Sequence, residues 1–291
     1  MFAVYINDMA EEVKSYISLF ADDAKILKEV KNNDDCDLLQ EDLNKIYEWS
    51  KKWKMEFNTK KCSMLEFGKS KCRPIGTYKL GEVNIQKRNM EKDLGVMVMD
   101  SMSPEKHINK IVGETHNLLK NIRVAFSYID EDMMKIIVTM IRPRLEYAAV
   151  VWSPNLKKDI NKLERIQRAA TKMIPSLRDL PYEERLLRLD LISLEQRRIR
   201  GDLIAMFRLT EGLEKLDRGD LIVHDERTKR GHGKKLKKGM CRRDIKKHSF
   251  PYRTIEVWNA LDREIVEATT IQNFKNKLDK FWDNRDGTPR A

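Results

Sequence analysis

Two adjacent carboxylates, Asp22 and Asp23, are the residues of this chain with the clearest capacity for chemistry. They separate two short segments with apolar side chains at β-type spacing, 15–19 and 24–30, and this pattern predicts a β-hairpin with both acids at its tip. Adjacent carboxylates repel each other unless a cation binds them, and Mg²⁺ binds carboxylate oxygen well. In a two-metal site, ions roughly 3.5–4 Å apart activate an attacking oxygen and stabilise a leaving one. The alternative is an ordinary acidic turn.

The elements around this hairpin change in type along the chain. The first hundred residues predict a helix over 34–53, strands over 62–67 and 94–98, and a hairpin over 78–85 that turns at Gly81. Beyond residue 103 the apolar spacing is helical, and prolines separate predicted helices at 107–126, 132–141, 159–174, 182–213 and 249–282. We therefore predict an α+β fold that is mainly α, with Trp152 and Trp258 in its core. The tail over 283–291 is expected to be disordered.

The composition indicates a soluble, helix-rich globular protein. Of the 291 residues, 35% are charged and 41% are hydrophobic, and no apolar run approaches the roughly 20 residues of a membrane span. The first residues lack the basic start of a signal peptide, so we expect an intracellular protein of the nucleus or cytoplasm rather than a secreted one. Four cysteines without a CxxC pair argue against a zinc ribbon or a disulfide framework.

The net charge of +11 is concentrated in two places that could contact phosphate. The segment 228–248 contains ten Lys or Arg residues against Asp244 alone, and a solvated, flexible linker is the alternative to a polyanion-binding site. Its candidate contacts are Lys234, Lys235, Lys237 and Lys238. The outward face of the helix predicted over 159–174 supplies four further candidates, which a merely solvated face would also explain: Lys162, Arg165, Arg168 and Lys172.

Seven short motifs, in one order along nearly the whole chain, resemble the reverse transcriptases of LINE-type, jockey-like non-LTR retrotransposons. The first combines the run 2–9 with 19–26, which contains Phe20-Ala21-Asp22-Asp23, and the second runs from Trp49 through Phe57-Asn58-Thr59-Lys60-Lys61 to Gly68. The others are Lys92-Asp93-Leu94-Gly95-Val96, Ile141-Arg142-Pro143-Arg144-Leu145-Glu146-Tyr147-Ala148, Val151-Trp152-Ser153-Pro154, Leu163-Glu164-Arg165-Ile166-Gln167-Arg168-Ala169-Ala170-Thr171-Lys172 and Trp258-Asn259-Ala260-Leu261.

This resemblance implies a division of the chain into parts of a polymerase. It implies a palm remnant over 1–75, a primer-grip-like hairpin over 76–102, a helical thumb over 103–215, a basic linker over 216–248, and a C-terminal helical element and tail over 249–291. Asp22 and Asp23 match the metal-binding acids of the palm, with Mg²⁺ as the implied cofactor. Lys61 matches a lysine that protonates or neutralises the pyrophosphate leaving group, although it could equally be a plain surface lysine. The implied partners are an RNA template and a DNA primer, or their hybrid.

The resemblance also shows what this sequence lacks. A reverse transcriptase palm needs a third acid on an upstream strand, and Asp8, the one aspartate before the hairpin, matches a different element of the family. We therefore expect a fragment that is inactive alone, and a partial palm that exposes a sheet edge and an apolar face. A non-catalytic nucleic-acid-binding or host-adopted protein, using the thumb and the basic linker, is the alternative. A structural protein whose two acids are turn chemistry is a third.

Overall fold

The computed structural model describes residues 6–11, 13–68, 74, 76–214, 219, 221–225 and 231–283. The chain forms two compact units. The first comprises 1–93 and 97–103, and the second comprises 94–96 and 104–291. The tail predicted to be disordered lies, beyond residue 283, outside the described residues.

The first unit consists of short strands and one long helix, as predicted. Its helix is α1 (Asn33–Trp53), and the strands are β1 (Tyr16–Phe20), β2 (Asp23–Leu27), β3 (Ser63–Leu65), β4 (Lys79–Leu80), β5 (Val83–Asn84), β6 (Gln86–Arg88), β7 (Met90–Asp93) and β8 (Val96–Met99). The strands form two-stranded sheets: β1 with β2, β3 with β6, β4 with β5, and β7 with β8. The pairings β1–β2 and β4–β5 are antiparallel, whereas β3–β6 is parallel.

Helix α1 has well-defined signals at both ends. The Asn32 side chain accepts a hydrogen bond from the Asp35 N–H, and the Asp35 side chain accepts one from the Asn32 N–H, which forms a capping box. At the other end, Lys54 adopts a left-handed backbone with φ 54° and its N–H binds carbonyls of the last turn. Leu43 and Ile46 bury the inner face of the helix. The prediction of a helix over 34–53 is therefore confirmed.

The predicted hairpin over 78–85 is confirmed as β4 and β5, with Gly81 in its turn. Gly81 has φ 63°, and a Cβ atom on it would lie 2.4 Å from the Tyr47 ring of α1. Only glycine combines this positive φ with the absence of a Cβ atom that would clash with the ring. The strands predicted over 62–67 and 94–98 exist, as β3 and β8, but β3 is shorter and β8 begins and ends later.

The second unit is helical. Its helices are α2 (Glu105–Ala125), α3 (Glu131–Glu146), α4 (Ala149–Trp152), α5 (Lys157–Thr171), α6 (Tyr182–Arg188), α7 (Leu194–Thr210), α8 (Asp244–His248), α9 (Ile255–Asn259), α10 (Arg263–Val266) and α11 (Ile271–Asp283). Helices α2, α3 and α5 pack against one another, and α7 packs against α5 and α11. Trp152 and Trp258 are buried, as predicted.

Three predicted helices differ from the observed ones. The helix predicted over 182–213 is two helices, because Asp190 takes a left-handed backbone with φ 52° and Ser193 starts α7 with a capping box. Helix α3 continues past Pro143. Pro143 is exposed, so the hydrogen bond that it cannot make is lost on the solvent side of the helix. The region 249–282 contains α9, α10 and α11 rather than a continuous element.

The basic segment, predicted as a solvated linker, packs against the helical unit over 232–236. His232 and Leu236 are buried. Leu236 exchanges two hydrogen bonds with the Asn259 side chain, at 2.9 and 2.8 Å, and Trp258 Nε1 donates to the Lys234 carbonyl at 2.9 Å. The backbone over 232–236 therefore packs on α9, whereas most side chains over 237–248, including the apolar Met240 and Ile245, are exposed.

Within the described ranges, no helix combines the length and apolar character that crossing a lipid bilayer requires.

Candidate functional site

The tip of the β1–β2 hairpin presents Asp22 and Asp23, as predicted. The strands pair from Tyr16 with Leu27 to Phe20 with Asp23, which leaves Ala21 and Asp22 as the connecting residues. Ala21 has φ 51°, a left-handed conformation that costs a non-glycine residue about 1–2 kcal/mol. Both carboxylates are exposed. The hairpin therefore holds two adjacent acids at a tight turn and presents them to solvent.

The two faces of this hairpin differ in burial. Ile17, Leu19 and Ile26 pack with Ile46 and Trp49 of α1. Residues paired across antiparallel strands share a face, so the other face carries Tyr16, Leu27, Phe20 and Asp23. The three apolar members of that set are exposed. The hairpin therefore has the exposed apolar face that the sequence predicted. Because β1 and β2 form a two-stranded sheet, each strand also has the predicted free edge.

A buried carboxylate, Asp42 of α1, anchors the hairpin. Its side chain accepts hydrogen bonds from the backbone N–H groups of Lys14, at 3.0 Å, and Ser15, at 2.8 Å, directly before β1. Burial on its own would raise the pKa of Asp42, but hydrogen bonding from Ser15 and Lys14 outweighs it and the pKa is lowered. The carboxylate thus fixes the start of the strand that leads to Asp22.

We expect Asp42→Ala to destabilise the first unit by about 2 kcal/mol, because two backbone N–H groups lose their acceptor. Since the folded pKa of Asp42 is depressed, its contribution is present above the unfolded pKa of about 3.9 and is lost as the pH falls. Hydrogen exchange over residues 14–27 would locate the effect at the hairpin. Glu41→Ala removes an exposed carboxylate of the same helix and should have little effect; equal losses in both variants would contradict the anchoring role.

The described residues supply no group of three or more His, Cys, Asp or Glu side chains arranged to hold a metal ion. Asp22 and Asp23 thus offer two carboxylates, the ligand type that Mg²⁺ prefers, and a third acid would have to come from elsewhere. Lys25, opposite Ser18 on the exposed face, forms an ion pair with Asp93.

Lys61 lies in an exposed turn before β3, where its N–H donates to the Asn58 carbonyl at 2.9 Å. The neighbouring Phe57 packs in the same apolar clusters as Ile26 of β2. The segment with Lys61 is therefore anchored beside the hairpin. In the part of the chain that is described, no hydrogen bond or ion pair joins Lys61 to Asp22 or Asp23.

Four cations were predicted on the outward face of a helix over 159–174, which is observed as α5 with Lys172 directly after its end, and two of them are engaged within the protein. Lys162 lies 3.2 Å from Asp159 and 3.7 Å from Glu105, and it donates to Asn109 at 2.9 Å. The Arg168 guanidinium stacks over the Tyr182 ring at 4.8 Å. The remaining two, Arg165 and Lys172, are exposed.

The four predicted cations of the basic segment divide in the same way. Lys234 forms an ion pair with Glu211, and Lys238 pairs with Glu256 at 2.5 Å. Lys235 is half-buried and the Lys237 side chain is exposed. Charge neutralisation by internal acids weakens the case for Lys234 and Lys238 as phosphate contacts.

The solvent face of α2 carries a basic stripe that the sequence reasoning missed. Lys106, Lys110 and Lys120 lie on one line with Gly113 and Asn117, at spacings of four, three, four and three residues. This line is opposite the buried Ile108, Ile111, Leu119 and Ile122. At a rise of 1.5 Å per residue, Lys106 and Lys120 are about 21 Å apart along the helix. The helical spacing of the lysines was the available signal.

Two residues of the motif that begins at Leu163 connect helices of the second unit and do not form a reactive site. Glu164 accepts hydrogen bonds from the Tyr182 hydroxyl and from the Leu194 N–H, the latter at 3.1 Å. Gln167 donates to Tyr182 and to the Ile192 carbonyl, both at 3.0 Å. These contacts tie α5 to α6 and to the start of α7. The motif around Glu164 therefore has a structural explanation.

Comparison with known proteins shows one informative similarity. The chain is 23% identical over 186 residues to a probable RNA-directed DNA polymerase from transposon X-element of Drosophila melanogaster. The match covers 60% of this chain and 20% of the relative, so the chain spans about a fifth of that relative's length. No protein-family model and no solved structure matches the chain. The similarity supports a reverse-transcriptase-like relationship.

Proposed function

We propose that this chain is a C-terminal portion of the RNA-directed DNA polymerase of a LINE-type, jockey-like non-LTR retrotransposon. The observation that carries the proposal is the β1–β2 hairpin, whose tight turn presents Asp22 and Asp23 with Ala21 in a left-handed conformation. The distant similarity to a transposon polymerase supports the same assignment. In this proposal the first unit belongs to the palm, and the helices α2 to α7 belong to the thumb.

In the full enzyme, Asp22 and Asp23 would hold Mg²⁺, which activates the attacking oxygen and stabilises the leaving one. The carboxylates fit this role because both are exposed, with Asp22 in the turn and Asp23 paired with Phe20 at the first residue of β2, so that the strand pairing fixes their backbone. Lys61, on its anchored turn, would neutralise or protonate pyrophosphate. The RNA template and DNA primer would be bound as a hybrid, which proteins recognise through shape and phosphate contacts.

We expect the 291-residue polypeptide by itself to show no template-directed primer extension with Mg²⁺. Among the described residues, no third acid is grouped with Asp22 and Asp23 to bridge the metals, and the loss of such a contact typically costs orders of magnitude in rate. The measurement is extension of a labelled primer on an RNA template, with Asp22→Ala as the matched variant. Template-copied product that disappears in Asp22→Ala would overturn this expectation while supporting the assignment of Asp22.

The second candidate function is nucleic-acid binding without catalysis, as in a host-adopted protein. The basic stripe of α2 favours it, because three aligned lysines offer phosphate contacts independent of Asp22 and Asp23. This second candidate predicts that Asp22→Ala leaves the binding of an RNA–DNA hybrid unchanged, because the lysines of the stripe supply the phosphate contacts.

A further inference from the structure

The ring of Tyr182 lies beside two guanidinium groups, one from α5 and one from α6. The guanidinium carbon of Arg168 is 4.8 Å from the centroid of this ring, and that of Arg185 is 5.6 Å from it. The ring is held in place, because the Tyr182 hydroxyl donates to Glu164 and accepts from Gln167 at 3.0 Å. Two positive charges therefore meet at one fixed aromatic surface.

Arg185 is buried without a hydrogen-bond partner for two of its donors. The residue is 2% exposed, and in the described part of the chain no acceptor binds its Nε or Nη1 atom. Burial lowers the pKa of Arg185, and the nearby charge of Arg168 acts in the same direction. A buried charge is costly unless it is paired and hydrogen-bonded, so these two donors require an acceptor.

The acids closest to the two arginines do not neutralise them. Glu183 lies two residues before Arg185 on α6, and side chains at this spacing do not face each other on a helix. Glu164 accepts from a tyrosine hydroxyl and a backbone N–H instead. Arg165 and Lys172, about one turn before and after Arg168, are exposed cations. Among the described residues, this region therefore has an excess of positive charge.

We propose that a phosphate group binds between Arg168 and Arg185, beside the Tyr182 ring. Phosphate has several acceptor oxygens and roughly two negative charges at neutral pH, so it can bind two guanidinium groups at once. A carboxylate has one charge and suits a single guanidinium, whereas a water molecule offsets no charge. The Arg168 side chain is exposed and can move to admit the anion next to Arg185. This inference is independent of the polymerase assignment.

Isothermal titration calorimetry with inorganic phosphate, at neutral pH and constant ionic strength, tests the site. The wild-type chain should bind phosphate saturably and more tightly than acetate. Arg185→Met and Arg168→Met should each weaken phosphate binding at least about tenfold, because each removes charge-assisted hydrogen bonds. Arg144→Met is the matched control, since it removes an exposed arginine of α3 in the same unit. No saturable binding, or an affinity that Arg185→Met leaves unchanged, would overturn the proposal.

Urea denaturation separates a binding role of Arg185 from a merely structural one. In phosphate-free buffer, Arg185→Met should unfold at the same urea concentration as the wild type or at a higher one, because methionine removes an unpaired buried charge. Added phosphate should raise the midpoint of the wild type but not that of the variant. A midpoint that falls in Arg185→Met by the same amount with and without phosphate would refute the site.

A second titration identifies the source of the phosphate group. The probe is an internally labelled RNA–DNA hybrid with hydroxyl groups at all its ends, which offers only backbone phosphates, and binding is followed by fluorescence anisotropy. If Arg185→Met weakens hybrid binding more than Arg144→Met does, the site binds the nucleic-acid backbone. If both variants bind the hybrid equally while Arg185→Met has lost inorganic phosphate, the site binds a free or terminal phosphate group.

Discussion

Replacing Arg253 with methionine is expected to destabilise the second unit by about 3–5 kcal/mol, the range for breaking a buried ion pair by removal of one partner. Arg253 binds Asp202 of α7 through two hydrogen bonds, at 2.7 and 2.8 Å, and it also donates to the Val150 carbonyl of α4 at 2.8 Å. Both side chains are largely buried. Methionine fills much of the volume of arginine but leaves the Asp202 carboxylate without its main partner.

The loss should grow as the pH rises. Burial raises the pKa of Asp202, while Arg253 and Arg198 oppose this shift, so removing Arg253 raises the pKa further. Between the unfolded pKa of about 3.9 and the raised one, the folded state retains a proton that the unfolded state has released. Stability therefore falls with rising pH across this window, and the penalty of Arg253→Met is larger at neutral pH than at mildly acidic pH.

Urea denaturation followed by far-ultraviolet circular dichroism, at neutral and mildly acidic pH, provides the measurement. The matched control is Arg263→Met, which breaks an exposed i,i+4 ion pair with Glu267. Such a surface pair contributes at most about 0.5 kcal/mol and should be insensitive to this pH change. A pH-independent loss in Arg253→Met would show that lost packing, rather than the buried charge of Asp202, causes the destabilisation.

Local patterns explain most of what the sequence could predict. The β1–β2 hairpin follows from apolar side chains at alternate positions, and α1 follows from an acidic first turn and a continuous apolar face. The break before α7 was missed because Asp190 takes a left-handed backbone without a glycine or proline to mark it. Pro143 misled in the opposite direction, since an exposed proline can remain inside a helix whose other face is well packed.

The site itself shows the same division between local and distant contacts. Asp22 and Asp23 could be placed at a turn because the strands beside them are adjacent in sequence. The anchoring role of Asp42 could not be foreseen, since its partner Ser15 is 27 residues away. The packing of the basic segment likewise depends on Asn259, 23 residues beyond Leu236. A run of lysines indicates that the side chains are solvated. It does not indicate whether the backbone of the same residues forms hydrogen bonds with another element.

Changing Lys106, Lys110 and Lys120 together to glutamine is expected to weaken binding of an RNA–DNA hybrid by at least about tenfold at moderate salt. The three lysines lie on one line of α2, where Lys106 and Lys120 are exposed and Lys110 is half-buried, and no described acid forms an ion pair with any of them. Each phosphate contact contributes about one unit to the salt slope of the binding constant, so the slope should fall by about two to three. Glutamine and lysine have similar helix propensities, and the fold should therefore be retained.

The decisive comparison is with Lys234, Lys235 and Lys238 changed to glutamine, which removes the same charge from the basic segment. Lys234 and Lys238 are neutralised by Glu211 and Glu256, so their replacement should alter the salt slope less than replacement of the α2 lysines. Fluorescence anisotropy at several salt concentrations measures both variants. An equal or larger fall in slope for the basic-segment variant would assign the phosphate contacts to that segment, and α2 would then be a merely solvated face.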